Sequence, residues 1–153
     1  MNARPHRTFE IVVFTVASLS DRAAKCWALT SLEPASPGAP LVSLGLFFNR
    51  GISFSMLDGY PHAGIALSMI GLCLLISISV TSDIPQPRAA MPLLWSGALC
   101  NLSDRLIYGH VIDWVRVVMY INLADLWLCV GCAALAASLI RERVSAWRGH
   151  GGG

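Results

Sequence analysis

The sequence predicts an α-helical membrane protein with four transmembrane helices and a small extended or β element on the outer, periplasmic side. Three observations carry that expectation. Of the 153 residues, 55% are hydrophobic and only 13% are charged, where soluble domains average about 25% charged. Four stretches approach the roughly 20 apolar residues that a bilayer crossing takes. The segment "HVIDWVRVVMY" between the last two stretches is rich in β-branched residues, which favour extended backbone.

The first span is expected over about Phe9 to Leu32. It begins with the apolar run "IVVFTVASL" and then meets Asp21, Arg22 and Lys25. A long connection over 33–58 opens with Pro34, Pro37 and Pro40, then turns to "LVSLGLFFNRGISFSML", which is hydrophobic enough to lie structured on the membrane. The second span, about Pro61 to Val80, is the cleanest, and the short, proline-broken "TSDIPQPR" follows it. The third, about Ala89 to Ile107, is weaker and ends in "CNLSDRLI"; the fourth, about Ile121 to Ile140, becomes strongly apolar after Asp125. This length suits one integral-membrane domain over 1–145, with 146–153, ending "GHGGG", as a disordered tail.

Basic residues set the orientation. With both termini in the cytoplasm, the inner side receives Arg4, Arg7, Arg88, Arg141, Arg143 and Arg148, and the outer side Arg50, Arg105 and Arg116. The excess on the inner side places the first and third connections outside. A cleaved signal peptide is the rival for the N-terminus, but its cleavage site is poor and Trp27 to Leu32 prolong the span.

Net charge is +2 and no basic patch is interleaved with aromatics, so nucleic acid is not an expected partner. Cys26, Cys73, Cys100, Cys129 and Cys132 sit in apolar stretches without the wider cysteine and histidine set that zinc needs. They read as buried, unpaired thiols, and neither metal nor cofactor is implied. The histidines are scattered, and no serine or cysteine has one placed suggestively beside it, so a nucleophilic triad ranks low.

The aspartates at the outer level are the chemical question. Asp113 lies in the third connection and Asp125 in the first turns of span four, with room between them for the chain to bend back. Two facing carboxylates share a proton, which suits amide hydrolysis: one draws a proton from water while the other donates to the carbonyl. The plainer alternative is that Asn122 caps the helix, with Asp125 favoured by the helix dipole and Asp113 a wet loop residue. Asp104, near a helix C-terminus, needs a cation, and Arg105, Arg116 or Arg50 is in range by sequence; Asn101 shares its face. Asp21 and Lys25, four apart, read as a structural polar pair. Asn49 closes a hydrophobic strand with Gly51 in a turn, or donates its amide to a substrate carbonyl or oxyanion.

Five motifs in order then resemble the lipoprotein signal peptidase family, the type II signal peptidases of bacteria: "DRAAK" in the first span, "FNRGISFSML", "CNLSDR", "VIDW" and "NLAD", over about residues 20 to 130. The resemblance implies four helices with a small outer β-sheet and an aspartic endopeptidase of the inner membrane that needs no cofactor. It implies removal of the signal peptide from diacylglyceryl-modified prolipoproteins, just before the lipidated cysteine. Its partners would be those lipid-modified prolipoproteins and membrane lipid, and nothing demands more than a monomer. Asp113 and Asp125 match the catalytic pair, and Asn49, Gly51, Asn101, Asp104, Arg105 and Asn122 match supporting or substrate-binding positions.

Three departures stand out. Cys100 replaces the usual glycine before Asn101, Ile52 and Ser53 follow Gly51 where small residues are usual, and the stretch from Asp113 to Asp125 is short. They leave room for a specialised or weakly active paralogue. A non-enzymatic four-span protein, such as a transporter subunit or assembly factor, is the competing class.

Overall fold

The structure, a computed structural model, describes residues 4–38, 40–50, 61–81 and 87–150. In chain order it has α1 (Arg4–Ser31), β1 (Val42–Asn49), α2 (Pro61–Thr81), α3 (Ala90–Tyr108), β2 (Val111–Val117), β3 (Met119–Ile121) and α4 (Leu123–His150). The four long helices stand where the apolar stretches predict them. α2 and α4 are long and apolar enough to cross a membrane, and the protein covers almost none of their apolar windows.

α3 is the hub, packing on α1, α2 and α4. Two glycines let α3 and α4 approach. A Cβ at Gly97 would lie 2.5 Å from the Ala124 carbonyl oxygen, and one at Gly131 would lie 2.6 Å from Leu94 Cγ. Trp127 Nε1 donates to the Ala17 carbonyl over 3.1 Å and ties α4 to α1. α3 stops at Gly109, whose φ of 76° is left-handed and whose N–H returns to the Arg105 carbonyl.

The small outer element is a three-stranded antiparallel sheet in the order β1-β2-β3. β1 pairs with β2 so that Phe47 faces Asp113 and Asn49 faces Val111, with an irregularity between Leu44 and Phe47. The β2–β3 hairpin turns on Val118 alone, between the paired Val117 and Met119. This one-residue tip is how the short stretch between Asp113 and Asp125 is closed. Trp27 meets Trp114 edge-on at 5.6 Å, fastening the end of α1 to the sheet.

Two expectations need correction. The thiols are all free, but only Cys100 is buried; Cys26, Cys73, Cys129 and Cys132 are exposed because they sit on helix faces with little protein against them. α4 also continues to His150, so 146–150 is helical where a disordered tail is expected; nothing in "RERVSAW" breaks a helix. Residues 151–153 lie outside the described residues, as does most of the proline-broken connection after α2.

Candidate active site

The site forms where the sheet meets the N-terminus of α4. Asn122 caps that helix through a reciprocal pair of bonds: Asp125 N–H donates to Asn122 Oδ1 over 3.0 Å, and Asn122 N–H donates to Asp125 Oδ2 over 3.2 Å. This is a capping box with Asn and Asp in its two roles. Asn122 then does more than cap. Its side-chain Nδ2 donates to Asp113 Oδ1 over 2.6 Å and to Asn101 Oδ1 over 3.2 Å. Capping and convergence of the two aspartates are therefore one arrangement, since Asn122 bonds both carboxylates.

Asp113 arrives from the centre of β2 and is almost fully buried, at 1% exposure. Asn49, diagonal to it across the β1–β2 ladder, donates Nδ2 to Asp113 Oδ2 over 3.0 Å. Burial lifts the Asp113 carboxyl to about 7, and the nearby Asp125 charge pushes the same way. The bonds from Asn49 and Asn122 and the charge of Lys25 oppose this and offset it only in part.

Asp125 takes a second donor from α3: Asn101 Nδ2 reaches its Oδ1 over 2.8 Å. Behind Asn101 lies a buried ionic cluster. Lys25 Nζ is 2.8 Å from Asp21 Oδ2, 2.7 Å from Asp104 Oδ2 and 3.2 Å from Asn101 Oδ1. Arg22 Nη1 closes it with a 2.7 Å bond to Asp104 Oδ1. The cations of this cluster that pair with Asp104, Lys25 and Arg22, thus come from α1, whereas sequence proximity offers Arg105, Arg116 or Arg50. The remaining oxygen of Asp21 accepts the Ala124 N–H over 2.9 Å, so α1 satisfies a helix-end donor of α4.

Asp113 and Asp125 both border a cleft of about 600 Å³ between α2, α3, α4 and the sheet. Its polar lining includes Asn49, Asn101, Arg105 and Tyr120, and its walls are apolar side chains such as Leu74, Leu94 and Leu128. Arg105 Nη1 donates to the Asn101 carbonyl over 3.3 Å. Asp104, Asp21 and Lys25 do not reach the cleft, and Gly51 lies outside the described residues.

Among the polar atoms bordering the cleft, Asn49 Oδ1 and the Tyr120 hydroxyl are buried without a hydrogen-bond partner among the described residues. The Asn49 amide nitrogen gives one hydrogen bond to Asp113, and its oxygen is left as an acceptor beside the cleft. Tyr120 stacks on Phe47 at 4.9 Å and is a site residue that no spacing or motif in the sequence marked.

Comparison with known proteins places the chain in a family. The family model of signal peptidase (SPase) II matches residues 13–141. The lipoprotein signal peptidase of Geobacter metallireducens is 31% identical, over 90% of this chain and 93% of that protein. The lipoprotein signal peptidase of Sinorhizobium fredii is 30% identical, over 84% of this chain and 85% of its own. A solved bacterial membrane enzyme shares the fold with a TM-score of 0.74 at 20% identity, covering 89% of this chain and 90% of that one.

Proposed function

The chain belongs to the signal peptidase II family and has the function of a lipoprotein signal peptidase, and we propose that it is an aspartic endopeptidase with Asp113 and Asp125 as its catalytic pair. The observation that carries this reading is that one residue, Asn122, donates to both carboxylates at the edge of one cleft, its side-chain amide to Asp113 and its backbone N–H to Asp125.

In this mechanism the two acids divide the work. Asp125 sits in the first turn of α4, where backbone N–H groups favour a negative charge. It is the base that takes a proton from a water held between the pair. Asp113, with its carboxyl lifted to about 7, holds a proton at neutral pH and gives it to the carbonyl oxygen of the scissile amide. The water oxygen bonds to the carbonyl carbon, and the C–N bond then breaks. The leaving nitrogen takes the proton that Asp125 received, and Asp113 recovers its own from the intermediate's hydroxyl. Asn49 Oδ1 accepts a peptide N–H, and the Tyr120 hydroxyl gives the substrate backbone a second anchor. Asn101, Arg105 and Asn122 hold the carboxylates in place, and Gly51 belongs with Asn49 by its motif.

The substrate is a diacylglyceryl-modified prolipoprotein, cut just before its lipidated cysteine. Its signal helix lies in the cleft among α2, α3 and α4, and its acyl chains stay in the bilayer, where buried CH₂ groups add to binding. All four helices cross the inner membrane, both termini face the cytoplasm and the sheet covers the outer face. The reaction as written needs no second copy of the chain, which suits a monomer.

The test is a gel-shift assay with a lipidated prolipoprotein and purified protein in detergent. The native chain should convert the substrate to its shorter form, and neither Asp113→Asn nor Asp125→Asn should do so while remaining inserted in the membrane. Retained cleavage by Asp113→Asn contradicts the assignment, and no conversion by the native chain selects the non-enzymatic alternative.

A further inference from the structure

Cys129 and Cys132 have no part in that reaction. They are separated by Val130 and Gly131 within the unbroken helix α4. Cys129 follows Asp125 by four residues and Cys132 follows it by seven, so the three share one helix face. All three border the cleft, and both thiols are free and exposed.

Helix geometry decides what such a pair can do. Side chains three apart on a helix have Cβ atoms about 5–6 Å apart, while a disulfide needs about 3.5–4.5 Å. Direct S–S closure therefore requires α4 to distort, and Gly131, wedged against Leu94 and the Ala90 carbonyl, leaves little space for that. A larger soft atom placed between the sulfurs spans the gap with the helix intact. The wall around them is apolar, with Leu74, Leu75, Leu94 and Leu128. A neutral adduct suits it, whereas a monovalent copper ion held by two thiolates would bury a net negative charge two turns from the Asp125 carboxylate.

We propose that Cys129 and Cys132 form a dithiol site for trivalent arsenic, and that filling it closes the cleft to the signal helix. The step balances without redox chemistry. With phenylarsonous acid, the hydrated form of phenylarsine oxide, two S–H and two As–O bonds break, two As–S bonds form and two waters leave. Arsenic stays trivalent, and the product is uncharged.

The binding half is read by intact mass on the full-length protein in detergent treated with phenylarsine oxide, followed by excess monothiol. The native chain should keep one phenylarsenic group per molecule and lose it to 2,3-dimercaptopropanol. Cys129→Ser and Cys132→Ser should each lose it to the monothiol, because single thiols such as Cys26 and Cys73 hold arsenic only through one bond. The blocking half rests on the peptidase reading and uses the gel-shift assay, with each protein compared with its own untreated rate. Loading should abolish processing by the native chain and spare both serine variants. A native adduct that the monothiol strips, one that persists in both variants, or full loading with processing unchanged overturns the proposal. Failure of the untreated native chain to process substrate counts against the peptidase reading instead and leaves the mass result standing.

Discussion

Lys25 Nζ donates to Asn101 Oδ1 over 3.2 Å, though the two stand 76 positions apart in the chain. An ammonium has only donors to offer, so it turns the amide oxygen toward itself and the amide nitrogen toward Asp125. The buried ions of α1 thus reach the cleft through one side chain. Removing the cation as Lys25→Met leaves Asp21 and Asp104 buried without the ammonium they share. Breaking a buried pair by deleting one partner costs about 3–5 kcal/mol. Thermal unfolding in detergent should show a loss of that order, smaller for Lys25→Arg; a Lys25→Met protein that melts with the native chain would show that the cluster does not hold the fold.

Asp113 makes both activity and stability depend on pH. As the proton donor it must be protonated, so processing should fall as pH rises through about 7. For stability, a raised acid binds its proton more tightly in the folded chain than in the unfolded one, where the value is about 3.9. Its contribution is complete below about pH 4, declines from there toward pH 7 and is gone above it. Melting temperatures from pH 5 to 8 should therefore fall more steeply for the native chain than for Asp113→Asn. Parallel slopes would place the Asp113 carboxyl at an ordinary value.

Gly97 faces the backbone of α4 one residue before Asp125. A methyl group there meets the Ala124 carbonyl at 2.5 Å and Leu128 Cγ at 2.7 Å, and a carbonyl held in a helix cannot swing aside. Gly97→Ala should destabilise the protein by about 1–3 kcal/mol, the usual range for overpacking. It should also slow processing, because the displaced turn carries the base. Gly131→Ala meets mainly the Leu94 side chain and lies farther from Asp125, so its effect on processing should be smaller. Equal rates for the two variants would remove the link between this contact and the site.

Much of this arrangement was legible in the sequence, and the limits have physical causes. α2 announces itself by an unbroken apolar run, the spacing of Asn122 and Asp125 gives the cap, and the separation of Asp113 and Asp125 leaves room for the bend. Local spacing also pairs Asp21 with Lys25, one turn apart. It misses Arg22 and Lys25 as partners of Asp104, because which helix supplies a buried counter-ion depends on tertiary packing. The polarity of Asn49 was equally hidden: either end of an amide can face the cleft until a neighbour, here Asp113, takes one of them. Tyr120 carried no signal, since its role comes from stacking on Phe47 across the sheet. Apolar sequence context predicts buried cysteines, but it does not say whether protein covers a helix face.

Val118 is the tip on which the shortened hairpin turns, and its φ of 70° is left-handed, a conformation that a β-branched residue adopts only under strain. Its N–H donates to the Leu41 carbonyl over 3.0 Å, which pins the tip to the start of β1. Met119 and Tyr120, at the border of the cleft, follow directly, and Asn122 comes two residues later. Glycine accepts positive φ and keeps the N–H, so Val118→Gly should retain processing. The relief of strain, about 1–2 kcal/mol, is partly offset by the greater freedom of glycine in the unfolded chain. Proline fixes φ near −65° and has no N–H, so Val118→Pro should break the tip and shift Tyr120 and Asn122 together. Melting temperature and gel-shift rate, measured on both variants, separate the two effects: the glycine protein should match or exceed the native chain in melting, and the proline protein should lose processing. Full processing by Val118→Pro would mean that the hairpin does not position the site.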